Sequence, residues 1–234
     1  MAHHDIKEAR KDNLIDSALQ VFAEKGYAAA TMTDIAKKAG VSTPVLYEYF
    51  KTKEDLLFAI PEKFTEEPIR IAEYVAPYLR GAEAKIRGIV QGYLSIYDSN
   101  PLYASLVMLE LKTNRKFIKA KAYDIVKRAS RGLLGVIQEG INDGTFKENT
   151  DAFLIRSMIL GTIEHLCIRQ LLLGEPKNLS QYTDPIVDTV LGSIKKQSKH
   201  FSINLSIKDL EMPDIKAGDD LENKGPLNSK RKKR

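Results

Sequence analysis

Thr31-Met-Thr-Asp-Ile-Ala-Lys-Lys-Ala-Gly-Val-Ser-Thr-Pro-Val-Leu-Tyr-Glu-Tyr-Phe50 is the stretch on which the fold turns. Thr31 and Asp34 stand three residues apart, a hydroxyl followed by a carboxylate. That spacing lets a helix N-terminus satisfy two orphan backbone N–H groups. The helix it starts is short, Met32 to Ala39, because Gly40 stops it. Ser42 is placed to cap a third helix, and Pro44 falls in that helix's first turn, where a missing N–H does no harm. The third helix runs through Phe50. Two short helices joined by Ala39-Gly40-Val41-Ser42 have the shape of a helix-turn-helix, with Ile35, Ala36, Ala39, Val41, Leu46 and Phe50 as its small core.

Upstream, Leu14, Ile15, Ala18, Leu19 and Phe22 recur at spacings of three and four, which predicts a helix from Ile6 to Lys25 ended by Gly26. Downstream, a long helix begins near Lys53, and Pro61 and Pro68 are expected to kink or break it. Beyond Pro77 the periodicity predicts helices at Ala84–Asp98, Pro101–Thr113, Phe117–Asn142, Thr150–Leu173 and Leu179–Ser198. Asn142-Asp143-Gly144 and Gly174-Glu175-Pro176 punctuate them. No segment alternates like a strand, so the fold class is all-α. From about Ser202 the period fades, and the basic run Lys230 to Arg234 reads as a disordered tail. Three units follow: 1–53, 54–200 and 201–234.

Composition narrows the function. Hydrophobic residues make up 43% and charged residues 29% of the 234, a soluble globular balance. The net charge of +5 admits a polyanion partner without requiring one. Residues 1–53 hold eight Lys/Arg and seven Asp/Glu, a net of +1, so any nucleic-acid contact there rests on local placement of charge. The single cysteine, Cys167, excludes an internal disulfide and fits a reducing cytoplasm. The most apolar stretch, Phe153 to Leu173, is interrupted by Arg156, Glu164, His165 and Arg169, so it reads as a buried helix and not a membrane span. The four histidines, His3, His4, His165 and His200, lack metal-ligand spacing. No phosphate loop, serine elbow or zinc-hydrolase motif is present, and carboxylate pairs such as Glu66-Glu67 and Asp219-Asp220 read as solvated. The expectation is a protein with no catalysis, no cofactor and no metal.

Gly26-Tyr27, then Thr31 through Ser42, then Leu46-Tyr47-Glu-Tyr-Phe50 and Lys53-Glu-Asp-Leu56 together resemble the DNA-binding domain of TetR-family regulators over about residues 8 to 57. The resemblance implies a recognition helix whose first residues, Thr43, Pro44 and Val45, face base edges in the major groove. Thr43-Pro44-Val45 departs from the family's commoner small-residue-Gly-Thr stretch, which bears on the operator sequence and not on the docking mode. It also implies that Thr31, Thr33, Ser42, Tyr47, Tyr49 and Lys53 contact the phosphate backbone or neighbouring bases, and Lys51 is expected as an extra phosphate neighbour. A plainer reading stands beside it, in which Thr31 and Ser42 are helix caps and the two tyrosines are core aromatics.

In the second unit, Asn100-Pro101 before Leu109-Glu-Leu-Lys112, Glu139 through Phe146, and Met158 through Ile163 resemble the branch of the family that represses fatty-acid degradation and is released by long-chain acyl-CoA. The expected inducer pocket takes in Tyr93, Tyr97, Tyr103, Met108, Arg128, Ile159, Thr162 and His165, although most such residues also read as plain core. The resemblance implies a homodimer. Ile159, Ile163, Leu166 and Gln170, with Ile186, Val187, Val190 and Ile194, supply stripes for a four-helix bundle between subunits, with internal core as the alternative. The expected partners are thus an operator duplex, a second copy and a small apolar or acyl-CoA-like inducer. Two other readings remain: a ligand-binding protein that no longer uses DNA, and non-specific binding through the basic tail.

Overall fold

In the computed structural model, residues 2–196 are described, with side chains from residue 6 onward. The 201–234 unit, with His200, Asp219, Asp220 and Lys230 to Arg234, lies outside them. The described residues fold into α1 (Ala2–Lys25), α2 (Met32–Ala39), α3 (Thr43–Tyr49), α4 (Lys53–Val75), α5 (Gly81–Ser99), α6 (Pro101–Ser105), α7 (Arg115–Lys119), α8 (Asp124–Asn142), α9 (Ala152–Leu173) and α10 (Thr183–Ile194). A π-helical stretch, Leu106–Leu111, continues α6, and single 3₁₀ turns precede α5, α8 and α10. Among these residues no strand forms, as the missing alternation predicts.

The first three helices form as their signals require. Leu14, Ile15, Ala18, Leu19, Val21 and Phe22 bury one face of α1 against α2 and α4. Asp34 N donates to Thr31 Oγ1 at 3.1 Å and Thr31 N donates to Asp34 Oδ2 at 3.1 Å, a closed capping box. Gly40 ends α2 at φ 70, a left-handed conformation that a side chain would strain. Ile35, Ala36, Leu46 and Phe50 are buried as expected, while Ala39 and Val41 are half-buried at the edge. Ser42 holds the N-cap position of α3, but its hydroxyl makes no capping bond.

Two expected breaks do not occur where the sequence put them. α4 runs unbroken through Pro61 and Pro68. Each proline removes a helical hydrogen bond and crowds the preceding turn, at about 3 kcal/mol in a helix interior. Anchors at both sides hold the helix across Pro61. A second capping box, Thr52 with Asp55, starts it, and Leu56, Leu57, Ile60 and Pro61 are buried in the core. Lys63 ties it to α1, donating to the Asp12 carbonyl at 3.0 Å and pairing with Asp16 at 2.7 Å. Conversely, Phe117 does not open one helix to Asn142. The backbone turns extended at Ala120 (ψ 152), separating α7 from α8.

The remaining helices pack side by side, α5 touching α4, α8, α9 and α10. Ala82, Ile86, Val90 and Leu94 give α5 a fully buried stripe against Leu133 and Ile137 of α8 and Ile159 and Ile163 of α9. Gly140 explains the Glu139–Phe146 segment: a Cβ there would stand 2.3 Å from the Phe146 ring, which is wholly buried. No described helix is long and apolar enough to cross a membrane.

Candidate functional site

The reading head presents a polar, partly exposed edge. Thr31, Thr33, Ser42, Pro44, Tyr47 and Lys51 are exposed, and Thr43 and Val45 are half-buried. Tyr47 keeps 42% of its surface on α3, where its ring and hydroxyl are open to a partner. Tyr49 instead packs against the core, so the two tyrosines divide between the alternatives. Thr31's hydroxyl accepts from Asp34 N while donating to the Asp34 carboxylate at 2.7 Å. Lys51 donates to the Tyr47 carbonyl at 3.0 Å, which holds its charge beside the C-terminal end of α3.

Lys53 is placed differently from an outward phosphate contact. Its ammonium donates to the carbonyls of Tyr27, Ala28 and Ala30 at 2.6, 3.1 and 2.9 Å, using its three protons, and sits 4.5 Å from the centre of the Tyr27 ring. It clasps the α1–α2 turn to the start of α4. Next to it, Glu54 accepts from Lys116 of α7 at 3.1 Å, and Phe58 packs on Phe117 at 5.3 Å. The head is thereby joined to the second unit through the first turns of α4.

Two hydrogen bonds from Thr31 and Lys25 shape the charge near the turn. The Lys25 ammonium, then the Thr31 hydroxyl, hold the Asp34 carboxyl down to about 2. Asp34 therefore stays an anion at the N-terminus of α2, where it favours the helix dipole.

In the second unit the expected pocket residues separate. Tyr97, Tyr103, Met108 and Ile159 are buried together, and Tyr93 borders them. Tyr103 stacks on Phe64 at 4.8 Å and on Tyr97 at 6.4 Å, and its hydroxyl bonds Thr65 Oγ1 at 2.9 Å. Arg128, Thr162 and His165 do not join this cluster. Arg128 is exposed and pairs with Glu66 at 2.8 Å and Glu73 at 3.6 Å of α4. Thr162 and His165 lie on the solvent face of α9.

The stripes expected at the dimer interface are largely closed off within the single chain. Ile159, Ile163, Ile186, Val187, Val190 and Ile194 are each no more than 6% exposed within the single chain, and are internal core. Leu166 is half-buried, and Gln170 donates to Asp98 at 3.3 Å. The unpartnered face of α9 is the opposite one. Leu154, Met158, Gly161, Thr162, His165 and Leu172 follow each other at helical spacing and are all exposed.

Three features escaped the sequence reading. The Thr52-x-x-Asp55 capping box was legible by its spacing. Asp98, which periodicity places at a helix end, accepts from Leu179 N at 2.8 Å, Ser180 N at 2.9 Å and Ser180 Oγ at 2.9 Å, binding the end of α5 to the turn before α10. Burial opposes that charge, but these bonds outweigh it and hold the Asp98 carboxyl below the ordinary carboxylate range. The π-helical turn, where Lys112 N reaches the Val107 carbonyl at 3.1 Å, has no sequence signature.

An exposed helix-turn-helix fixed to a larger helical unit defines a class, the DNA-binding regulators that couple a reading head to a ligand-binding body. Comparison with known proteins agrees. Residues 14–60 match the model of bacterial regulatory proteins of the tetR family, and residues 70–193 match that of the YsiA-like protein C-terminal region. The chain is 28% identical over 188 residues to the fatty acid metabolism regulator protein of Bacillus subtilis, covering 80% of this chain and 97% of that one. It is 24% identical to the transcriptional repressor KstR2 of Mycolicibacterium smegmatis, over 80% and 91% of the two chains. Among solved structures, FadR of Bacillus subtilis in complex with stearoyl-CoA superposes with a TM-score of 0.68 at 28% identity, covering 80% of this chain and 98% of that one. The chain belongs to the TetR family of DNA-binding, ligand-responsive transcriptional regulators.

Proposed function

We propose that the protein is a homodimeric cytoplasmic repressor, released from a pseudo-palindromic operator by a long-chain acyl-CoA or a similar apolar ligand, and that it catalyses no reaction. The observation that carries this reading is the exposed Tyr47 edge of α3, held in place by two capping boxes and by the Lys53 clasp. Thr43, Pro44 and Val45 are the base-reading residues. Thr31, Thr33, Tyr47 and Lys51 are the backbone contacts, with Ser42 and Tyr49 beside them and Lys53 acting from behind.

The stearoyl-CoA complex of the Bacillus subtilis relative supports the ligand class. The buried Tyr97, Tyr103, Met108 and Ile159 support an apolar ligand entering between α5, α6 and α9. The exposed α9 face through Met158, Thr162 and His165 replaces the buried stripes as the dimer surface. Ligand acts on DNA through α4, whose first turns touch both Tyr27 and α7. A ligand shifts such an equilibrium only through its different affinity for the two states, and about 10⁴-fold reverses a 99:1 preference.

A titration of wild type and Tyr47→Ala on DNA from the protein's own upstream region, with random duplex as control and salt fixed, tests the head. Preference of the wild type for the upstream duplex, with binding to it weakened about tenfold or more in Tyr47→Ala, is the expected result. Equal weak binding to both duplexes, unchanged by the substitution, removes the specific-regulator reading for that DNA. Stearoyl-CoA added to the wild-type complex then tests release.

A further inference from the structure

Three phenols converge where α5, α6 and α9 meet, and their hydroxyls are not equivalent. Tyr103 is satisfied by Thr65 Oγ1 at 2.9 Å. Tyr93 and Tyr97 stand one turn apart on α5, so their side chains share a face. Neither hydroxyl makes a hydrogen bond to any described residue. Tyr97 is only 8% exposed, and Tyr93 is half-buried. A buried hydroxyl without a partner costs about 1–3 kcal/mol, so such groups are rare unless something else meets them. Among the described residues no sealed side-chain polar atom lacks a partner. The two phenol oxygens therefore each keep some accessible surface.

We infer that Tyr93 and Tyr97 form a carbonyl-recognition site, taking an apolar ligand whose uncharged carbonyl oxygen accepts from their hydroxyls. The inference rests on the effector reading given above and specifies its polar handle. Burial raises both phenols above their ordinary range, so both remain neutral donors. Glu164, paired with Lys112, pushes in the same direction on each, while Arg156 acts the other way on Tyr93. The π-helical turn Leu106–Leu111 puts Met108 and Leu111 into the same interior, and such turns are frequent at binding sites. A thioester and a ring ketone offer the same acceptor, and both belong to apolar ligands.

Isothermal titration of the full chain separates the sources. Stearoyl-CoA, the S-octadecyl thioether of CoA (the same chain without the carbonyl) and androst-4-ene-3,17-dione are the probes, on wild type, Tyr93→Phe and Tyr97→Phe. The phenylalanine variants keep the rings, and a melting curve checks that each is folded. At about 1 kcal/mol per hydrogen bond, each variant weakens the carbonyl probe about fivefold. A thioester source also makes the thioether a weaker ligand of wild type, with no further loss in the variants. A ketone source leaves the loss confined to the steroid. A carbonyl probe that binds wild type and both variants alike overturns the proposal while leaving the effector reading intact. Failure of every probe to bind wild type overturns both.

Discussion

Lys53 shows how one side chain can satisfy a family pattern for a structural reason. Its three carbonyl acceptors span the Tyr27–Ala30 turn, and the Tyr27 ring covers its charge. Charged hydrogen bonds of this kind contribute about 1.5–3 kcal/mol each before desolvation, and cation–π contact adds about 0.5–1. Replacing Lys53 by Met keeps the apolar stem and removes the donors, so it should destabilise the chain by about 2 kcal/mol in urea unfolding. A direct phosphate contact predicts a different signature: unchanged stability, with the salt slope of DNA binding lower by about one. Asp34 makes a second residue-scale prediction, with an opposite lever. Its folded carboxyl titrates at about 2 against an ordinary 3.8, a depressed value. Its contribution is therefore present above pH 4 and lost as the pH falls through 2. Carboxyl carbon shifts followed by NMR from pH 5 to 1.5 should place the Asp34 midpoint well below those of exposed aspartates. A midpoint near 4 would show that the Lys25 and Thr31 bonds do not hold in solution.

At the scale of elements, the clearest contrast is between α2 and α9. In α2 the apolar residues occupy one side, Thr31 and Gly40 mark its ends, and its burial was legible from spacing alone. In α9 both sides are apolar: Ile155, Ile159, Ile163 and Cys167 face inward, while Leu154, Met158 and Leu172 face out. A helix apolar all round has no periodicity to say which stripe a chain keeps for itself. That is why spacing alone did not separate Ile159 and Ile163, which lie inside the single chain, from the exposed stripe of α9. The pocket residues divided similarly, since Tyr97 and Tyr103 sit on a one-sided helix surface whereas Thr162 and His165 belong to α9's outer face. The Pro61 and Pro68 breaks failed because propensity is local and the anchors of α4 are tertiary. Asp98 is the least legible element link, because its partners Leu179 and Ser180 are about eighty residues away. Asp98→Ala leaves Leu179 N–H without an acceptor at the start of the turn before α10, while Ser180 N keeps Asn178 Oδ1 at 2.8 Å. Loss of about 2 kcal/mol is expected, with amide protection at Leu179 and Ser180 falling well before the rest of the chain. Uniform protection would mean that the α9–α10 connection is held by its apolar contacts alone.

For the whole molecule, two recognition helices are worth more than one only if the dimer fixes their separation. Half-sites of such dimers lie about 34–36 Å apart, or a multiple of it, and each head then adds its phosphate contacts to the other's. With a net of only +1 over residues 1–53, one head has little attraction of its own, so dimerisation carries much of the affinity. The outer face of α9 is the surface suited to it, because Leu154, Met158 and Leu172 are 54, 44 and 64% exposed on one helix. Met158→Arg places a charge on that face without touching the core behind it, where Ile159 and Ile163 are closed off. A buried interfacial charge without a partner costs several kcal/mol. Sedimentation should therefore show a shift from dimer to monomer at micromolar protein, with an unchanged helical circular-dichroism spectrum and operator binding weakened at least tenfold. Val187→Asp is the control with the reverse logic. Val187 is wholly buried inside the chain, so this substitution should lower the melting temperature steeply rather than merely separate subunits. A Met158→Arg protein that stays dimeric would move the interface away from the centre of α9. A Val187→Asp protein that stays folded as a monomer would return it to the face first read from the sequence.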